Sequence, residues 1–387
     1  MKLLNLIKWL APRMMLFAAY VAAASPCAKA DQSHVVQITF QSPSLSQALR
    51  QTVEIGAEIL LPDSYYQRPD QRYPVVYVIP AFEGTDQIGD AEKLDWQRPM
   101  KSLGSEFIVV FMQAMMDIDG EDVHIEFADS ASEGPWGTAL TSEFVPATDA
   151  HFRTIASGKA RFLFGHSSGA WSALWLQINY PATFNGAWAL SPDPVDFHDF
   201  LGPDITRRGQ DFFVDAAGRD YPMCRMGGRD VATLRKLVQG ATDCIPYQHV
   251  VSTDQKPWQE RQMDTYDDVF SPAKPNGLPV PLFDRTTGAI DPSVAAYWED
   301  HYDMTTLLQR RWGVLAPQLR GKLHVFVGAE DTFELEGSVL RMRDALAKLG
   351  SDAEFGIAPG DDHWQIYDYH GGMIKYALAA MTQRLNK

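Results

Sequence analysis

The chain has 387 residues, of which 45% are hydrophobic, so it is long and apolar enough to bury a large core. Its formal net charge of −15 argues against nucleic acid and anionic membrane surfaces as partners. It has three cysteines and no CxxC spacing, which gives no support to a cysteine-based zinc site or a thioredoxin-type redox centre.

The N-terminus has the pattern of a secretory signal peptide over residues 1–30. Lys2, Lys8 and Arg13 precede an apolar run at 14–24, and a small-x-small cleavage site ends at Ala30. The alternative is an N-terminal membrane anchor, which the run disfavours because it is shorter than the roughly 18 apolar residues that a span needs. Cleavage removes four positive charges and no acid, which moves the net charge from −15 to −19. We predict a periplasmic or secreted protein without stable membrane insertion.

Two cysteines remain after cleavage, because Cys27 leaves with the signal. In an oxidising compartment Cys224 and Cys244 most simply form one disulfide; two buried free thiols are the alternative. The acidic stretch at 117–122 lacks the spacing of a calcium loop. We therefore predict a disulfide, no metal and no cofactor.

Extended and apolar segments along the chain predict a sheet. Two extended segments near the mature N-terminus resemble antiparallel edge strands, and later unbroken apolar runs suit buried parallel strands separated by helices. The edge segments are 34–40 and 52–62; the apolar runs are 73–80, 106–112, 161–166, 186–191 and 322–328. Strands alternating with helices predict an α/β fold with a doubly wound, mostly parallel sheet.

The alternation of strands and helices lapses between 191 and 322, far longer than an ordinary α/β connection. This part holds both mature cysteines and a Pro/Gly-rich stretch. We therefore divide the mature chain into 31–191, an insertion at 192–321 and 322–387. We interpret the insertion as a cap over one end of the sheet.

The stretch RFLFGHSSGAWSALWLQINYP, at 161–181, places GHSSG between a strand and a helix. A strand, GxSxG and a helix form the nucleophile elbow of the α/β-hydrolases, a sharp turn that raises a hydroxyl above the sheet. The register puts Ser167 at the tip as the nucleophile, and the backbone N–H of Ser168 can point into an oxyanion hole. The alternative is a helix cap without chemistry.

A serine nucleophile needs a base and an acid, which follow in this fold in the order Ser, acid, His. His363 lies in a loop before the last helix and is our predicted base; His370 is its nearest rival. Asp331 follows a late strand and is the predicted acid, with Glu330 as the competitor. The loop after the strand at 73–80 offers the backbone N–H of Phe82 as the second oxyanion donor.

The chain resembles the putative-esterase (esterase D-like) branch of the α/β-hydrolases. That branch includes S-formylglutathione hydrolases, feruloyl, acetyl-xylan and enterochelin esterases, and mycolyltransferases. The segments that carry the resemblance are YPVVYVIPAFEG, EGPWGTALTSEFVPATDAHFRT, GHSSGAWSALWLQINYPATFNGAWALS, GAEDTF and DDHWQIY. The resemblance implies an α/β-hydrolase fold and ester hydrolysis by Ser167, Asp331 and His363. The chain departs from the family pattern in the oxyanion loop, which often has HG or PG followed by another glycine and here reads Pro80-Ala81-Phe82-Glu83.

Five side chains beside these motifs are candidates for the substrate pocket: Glu83, Glu133, Trp136, His166 and Trp364. Glu83 has two readings, because it either points to solvent or binds a cationic group. By the resemblance Glu133 and Trp136 line the approach to the site; their alternative role is to brace the loop under the helix.

The sequence predicts a carboxylic-ester hydrolase that works through an acyl-enzyme. Its substrate would be a small-molecule, saccharide or lipid ester. An acyltransferase to a sugar or lipid alcohol would use the same residues, and a non-catalytic binding protein of this fold is the third reading. The ordered Ser, Asp and His argue against the last of these.

Overall fold

The computed structural model describes residues 34–84, 89–118, 121–240, 244 and 258–386. The predicted signal peptide at 1–30 lies outside the described residues. The centre of the molecule is an eight-stranded sheet in the order β1-β2-β4-β3-β5-β6-β7-β8. The strands are β1 (Val35–Gln41), β2 (Glu54–Leu60), β3 (Val75–Ile79), β4 (Ile108–Met112), β5 (Arg161–His166), β6 (Ala187–Leu190), β7 (Leu323–Gly328) and β8 (Glu354–Ala358).

The direction of the strands agrees with the sequence pattern. β1 and β2 pair antiparallel, β2 joins β4 antiparallel, and every neighbouring pair from β4 to β8 is parallel. The parallel strands from β3 to β7 are largely buried on both faces, which is why they read as unbroken apolar runs. The predicted fold class is therefore confirmed: the sheet is doubly wound and mostly parallel, with an antiparallel N-terminal edge.

The helices cover both faces of this sheet. They are α1 (Pro43–Leu49), α2 (Asp90–Leu103), α3 (Trp136–Ala139), α4 (Val145–His151), α5 (Ser168–Asn179), α6 (Leu234–Val238), α7 (Trp258–Phe270), α8 (Pro292–His301), α9 (Met304–Leu319), α10 (Glu336–Lys348) and α11 (Met373–Leu385). A π-helical turn at Leu140–Phe144 joins α3 to α4. None of the described helices is long and apolar enough to cross a membrane.

Alternate residues of each central strand supply two separate cores. In β3, Val75 and Tyr77 belong to the larger core, and Val76 packs into the smaller one with Trp96 of α2. This two-sided burial follows from the period of two along a strand. Helix α5 lies inside the larger core and is buried on all sides, as expected for a helix that is apolar around its whole circumference.

The segment between β6 and β7 holds an antiparallel hairpin (Pro222–Met226 and Arg229–Thr233) and helices α6 to α9. Its last helix, α9, packs against α5 and α10 and leads directly into β7. A helix in that position is the ordinary crossover between two parallel strands. The bounds 192–321 of a separate cap remain a prediction.

The remaining short elements lie in connections. Small antiparallel pairs form at Met115–Ile118 with Glu121–His124, and at Asp129–Ser130 with Gly134–Pro135. Short 3₁₀ helices occur at Gly158–Ala160, Phe197–Asp199 and Gln365–Gly371.

Candidate active site

The strand β5 ends in a strained turn that begins helix α5. Ser167 lies in this turn with φ +57° and ψ −127°, a backbone conformation that residues other than glycine rarely adopt. A Cβ at Gly165 would lie 2.1 Å from the carbonyl oxygen of Gly169, and a Cβ at Gly169 would lie 2.1 Å from that of Ile79. Only glycine therefore lets the helix approach the sheet this closely. The turn holds the Ser167 hydroxyl at the carboxyl end of the sheet. The residue as a whole is 6% exposed.

A carboxylate and an imidazole are paired beside the last two strands of the sheet. Nδ1 of His363 lies 2.9 Å from Oδ2 of Asp331, and Oδ1 of Asp331 accepts the backbone N–H of Phe333 at 2.9 Å. Burial raises the pKa of Asp331, but the adjacent His363 and these hydrogen bonds outweigh it, so the pKa lies below its ordinary value. The pair is almost fully enclosed, with His363 2% exposed. An ionised Asp331 fixes the proton of His363 on Nδ1.

The loop that carries His363 is shaped by its neighbours. Oδ1 of Asp362 accepts the N–H groups of Trp364 and Gln365, which turns the chain into the 3₁₀ helix. His166 lies directly behind, with its ring 4.4 Å from that of His363 and its Nε2 donating to the His363 carbonyl at 2.7 Å. Burial lowers the pKa of His166 to about 3, so this ring is neutral. The residue before the nucleophile thus supports the backbone of His363.

The predicted oxyanion loop lies beside a buried histidine. Phe82 follows β3, and its ring meets that of His124 edge-on at 5.0 Å. Glu83 has φ +60°, and its backbone N–H donates to Nδ1 of His124 at 3.3 Å. Burial lowers the pKa of His124 to about 3, so the ring is neutral and can accept at Nδ1. His124 therefore holds the turn, a contact that the sequence pattern did not reveal.

A second carboxylate, Asp193, lies next to the two serines. Its Oδ1 is 3.5 Å from the Ser167 hydroxyl, and its Oδ2 accepts the hydroxyls of Ser168 at 2.7 Å and of Tyr266 at 2.8 Å. Tyr266 comes from α7, in the segment between β6 and β7. Sequence reasoning missed Asp193; its one signal was its position three residues after the end of a central strand. The Ser167 hydroxyl is therefore directed to Asp193 and not to His363 in this structure.

Glu126 is a third buried acid in this region. It is fully enclosed, and its Oε2 accepts the hydroxyl of Ser172 at 2.8 Å. Burial, and then the charge of Asp193, raise the pKa of Glu126 well above its ordinary value. Burial also raises the pKa of Asp193, although the hydroxyls of Ser168 and Tyr266 oppose this shift. Asp193 has the larger number of hydrogen-bond donors of the two, and these donors favour its ionised form.

The remaining pocket candidates fall into two groups. Trp364 is 44% exposed and meets the ring of His363 at 5.3 Å, so it lies at the rim of the site. Glu133 and Trp136 are buried, and Trp136 packs edge-on against Phe127. Burial, and then the charge of Asp268, raise the pKa of Glu133 well above its ordinary value. Burial of both residues agrees with a role in bracing the loop, and their place at the approach to the site stays a prediction.

The hairpin after β6 contacts the loop that carries Asp331 through a hydrogen bond and ion pairs. The backbone N–H of Arg225 donates to the carbonyl of Thr332 at 2.8 Å. The Arg225 guanidinium also pairs with Glu334 and, at 2.8 Å, with Glu336. The predicted disulfide is confirmed: Cys224, the neighbour of Arg225, is bonded to Cys244. Glu330 points the other way, towards Gly228 in the turn of this hairpin.

A group with metal-ligand chemistry lies elsewhere in the same segment. Single ligand atoms of Asp196, His198 and Asp303 lie within 4.8 Å of one another. Hydrogen bonds already use these atoms: Asp196 pairs with the ring of His198, and Asp303 accepts the N–H groups of Phe197 and Thr306. The group therefore ties the chain after β6 to the start of α9.

The sheet order, the glycine-flanked serine turn and the Asp331–His363 pair together define the α/β-hydrolase class. A family model described as "Putative esterase" matches residues 46–277. The match spans more than half of the chain, and the chain belongs to the putative-esterase family. It is therefore a carboxylic-ester hydrolase, and the predicted family is confirmed.

Solved structures share the fold at low sequence identity. A ferulic acid esterase is 16% identical with a TM-score of 0.55, over 90% of this chain and 98% of that one. An S-formylglutathione hydrolase from Agrobacterium tumefaciens is 17% identical with a TM-score of 0.52, over 91% and 95%. The fluorophosphonate-binding serine hydrolase F of Staphylococcus aureus is 12% identical with a TM-score of 0.50, over 91% and 98%. A comparison with curated proteins gave no match.

Proposed function

We propose that the protein is an exported serine esterase in which Ser167, His363 and Asp331 form the catalytic triad. The observation that carries the proposal is the 2.9 Å contact between His363 Nδ1 and Asp331 Oδ2, in a site where Ser167 occupies a strained turn. Because Nδ1 is committed to Asp331, Nε2 is the ring nitrogen that can accept the serine proton.

The reaction proceeds in two steps, the acylation and then the deacylation of Ser167. The Ser167 oxygen bonds to the ester carbonyl carbon as its proton passes to His363, the bond to the leaving alkoxide breaks, and His363 returns the proton to the alcohol. Water then attacks the acyl-enzyme, gives a proton to His363, and releases the acid as Ser167 regains its hydrogen. The backbone N–H groups of Phe82 and Ser168 bind the oxyanion in both steps.

Nitrophenyl esters of graded chain length test the hydrolysis, and a fluorophosphonate tests the nucleophile. We expect Ser167→Ala to lower kcat by up to about 10⁶-fold and to abolish covalent labelling. Ser168→Ala should keep far more activity, because its proposed catalytic contribution is a backbone N–H. A labelled and active Ser167→Ala variant would refute the assignment of the nucleophile.

The compartment is part of the same proposal. The disulfide between Cys224 and Cys244 supports an oxidising environment. Together with the signal pattern it supports export, with Asp31 as the first mature residue. The intact mass of protein from the periplasm or medium measures this N-terminus, and a mass that retains residues 1–30 would contradict it.

The segment 192–321 acts in this proposal as a cap. The support is that Asp193, which accepts the hydroxyl of Tyr266 of α7, also accepts the hydroxyl of Ser168 beside the nucleophile, and that Arg225 contacts the loop of Asp331. The cap thereby contacts two of the three loops that carry the proposed chemistry.

A further inference from the structure

The hydrogen bonds around Asp193 are unevenly divided between its two oxygens. Oδ2 accepts two short bonds, from Ser168 and Tyr266. Within the described part of the chain, the only donor to Oδ1 is the Ser167 hydroxyl, at the long distance of 3.5 Å. No lysine or arginine among the described residues forms an ion pair with Asp193, which is 2% exposed.

The proposed reaction removes the one donor that Oδ1 has. When Ser167 attacks, its proton passes to His363 and its oxygen bonds to the acyl carbon. The Asp193 Oδ1 atom then faces the acyl group as a buried acceptor without a donor. An unmatched acceptor of this kind is costly, and a site built to receive a hydrogen bond discriminates against substrates that lack the donor.

The position of Oδ1 defines where a substrate donor would have to lie. The acyl carbon will be bonded to the Ser167 oxygen, which is 3.5 Å from Oδ1. A hydroxyl or ammonium on carbon 2 or carbon 3 of the acyl chain, counted from the carbonyl carbon, therefore comes within hydrogen-bonding reach.

We propose that Asp193 is a specificity-determining residue that selects acyl esters bearing a hydroxyl or ammonium group on carbon 2 or carbon 3. This inference rests on the proposed function of Ser167 as nucleophile. Tyr266 and Ser168 position the carboxylate from the other side, so that Oδ1 points at the acyl chain. The cap helix α7 thereby contributes to selection without touching the substrate.

Four matched nitrophenyl esters test the proposal: butyrate, 2-hydroxybutyrate, 3-hydroxybutyrate and 2-aminobutyrate. Each kcat/KM is divided by the rate of hydroxide hydrolysis of the same ester, which removes differences in intrinsic reactivity. We expect at least one substituted ester to exceed butyrate by about 10- to 100-fold, the range for a hydrogen bond to a charged group. The substituted ester that leads identifies the donor as hydroxyl or ammonium, and its position.

Asp193→Asn should abolish this preference. Because Ser168 and Tyr266 both donate at Oδ2, the amide oxygen takes that place and the amide N–H faces the acyl group. We expect the ratio to fall below about threefold, while fluorophosphonate labelling of Ser167 reports that the turn is intact. Glu330→Gln, which removes a charge near the acid loop but does not contact Asp193, is the matched control and should keep the full ratio.

The outcomes separate the two proposals. If wild type is labelled and hydrolyses all four esters with butyrate equal to or ahead of the others, the specificity role is refuted and the esterase stands. If no ester is cleaved and Ser167 is not labelled, both are refuted. If Asp193→Asn does not fold, the comparison of the four esters with wild type still decides the inference.

Discussion

Tyr266 of helix α7 donates its hydroxyl to Asp193 at 2.8 Å, and through Asp193 the segment between β6 and β7 reaches the Ser168 hydroxyl beside the nucleophile. Both residues are buried, and burial raises the pKa of Tyr266 well above its ordinary value, so the phenol keeps its proton. A neutral tyrosine is a fixed donor over the whole working range of pH. The nucleophile turn is therefore supported from outside the sheet as well as from within it.

Replacement of the acid should be far more costly than replacement of its neighbour. Asp331→Asn leaves His363 without an ionised partner and in the wrong tautomer, and we expect kcat to fall on the order of 10⁴-fold. Glu330→Gln changes a side chain that points away from His363, so its effect should stay below about tenfold. Steady-state kinetics of both variants on one ester measures the contrast. A larger loss for Glu330→Gln would move the acid by one residue.

Gly169, two residues after the nucleophile, should be irreplaceable for steric reasons. Gly169→Ala puts a Cβ 2.1 Å from the carbonyl oxygen of Ile79, so the start of α5 must move away from β3. We expect a variant that unfolds at lower temperature and loses activity. Gly313→Ala in α9 is the matched control, because nothing lies within 4 Å of its added Cβ. It should stabilise the protein by up to about 1 kcal/mol; equal thermal unfolding curves for the two variants would contradict the packing argument.

The disulfide should stabilise the insertion measurably. Cys224 and Cys244 are 20 residues apart, and closing a loop of that length contributes about 3 kcal/mol to the free energy of unfolding. We expect the double variant Cys224→Ala, Cys244→Ala to unfold at lower denaturant concentration. Reductant should shift wild type in the same direction and leave the double variant unchanged. An unchanged wild-type midpoint under reductant would argue that the bond adds nothing.

The stability of the region after β6 should depend on pH through His198. The hydrogen bond to Asp196 raises the pKa of His198 to about 9, against the effect of burial and with help from the charges of Asp196 and Asp303. A raised pKa means that the protonated ring stabilises the folded state, fully below the unfolded pKa of about 6.5, and that this is lost as pH rises through about 9. His198→Gln should therefore lower Tm more at pH 7 than at pH 10. Equal differences at both pH values would show that the charge of the ring is unimportant.

The sequence predicted the features that depend on neighbouring residues and missed contacts between residues that are far apart in the chain. The glycines of GHSSG and the unbroken apolar runs act within a few residues, so their patterns identified the turn and the sheet. The disulfide followed from arithmetic on the cysteines. The contact between Asp193 and Tyr266 joins residues 73 positions apart through a segment without a clear period, and no spacing rule reaches it.

His124 makes a second contact that the sequence did not predict. Its ring accepts the backbone N–H of Glu83, 41 positions earlier, and a backbone donor leaves no mark on the identity of the residue that carries it. His166 had a local signal, its place before Ser167, which suggested a pocket residue. In the fold its Nε2 contacts the backbone carbonyl of His363, because the last two strands bring that loop behind the turn, and its place in the substrate pocket stays a prediction.

Arg225 has a consequence for any attempt to reshape the enzyme. It pairs with Glu334, in the loop that begins with Asp331, and with Glu336, the first residue of α10; burial raises the pKa of both carboxyl groups. A variant without the 222–233 hairpin would leave these two acids without Arg225, close to Asp331, the partner of the His363 imidazole. Grafts between relatives should therefore exchange the hairpin and the 331–336 loop as one module.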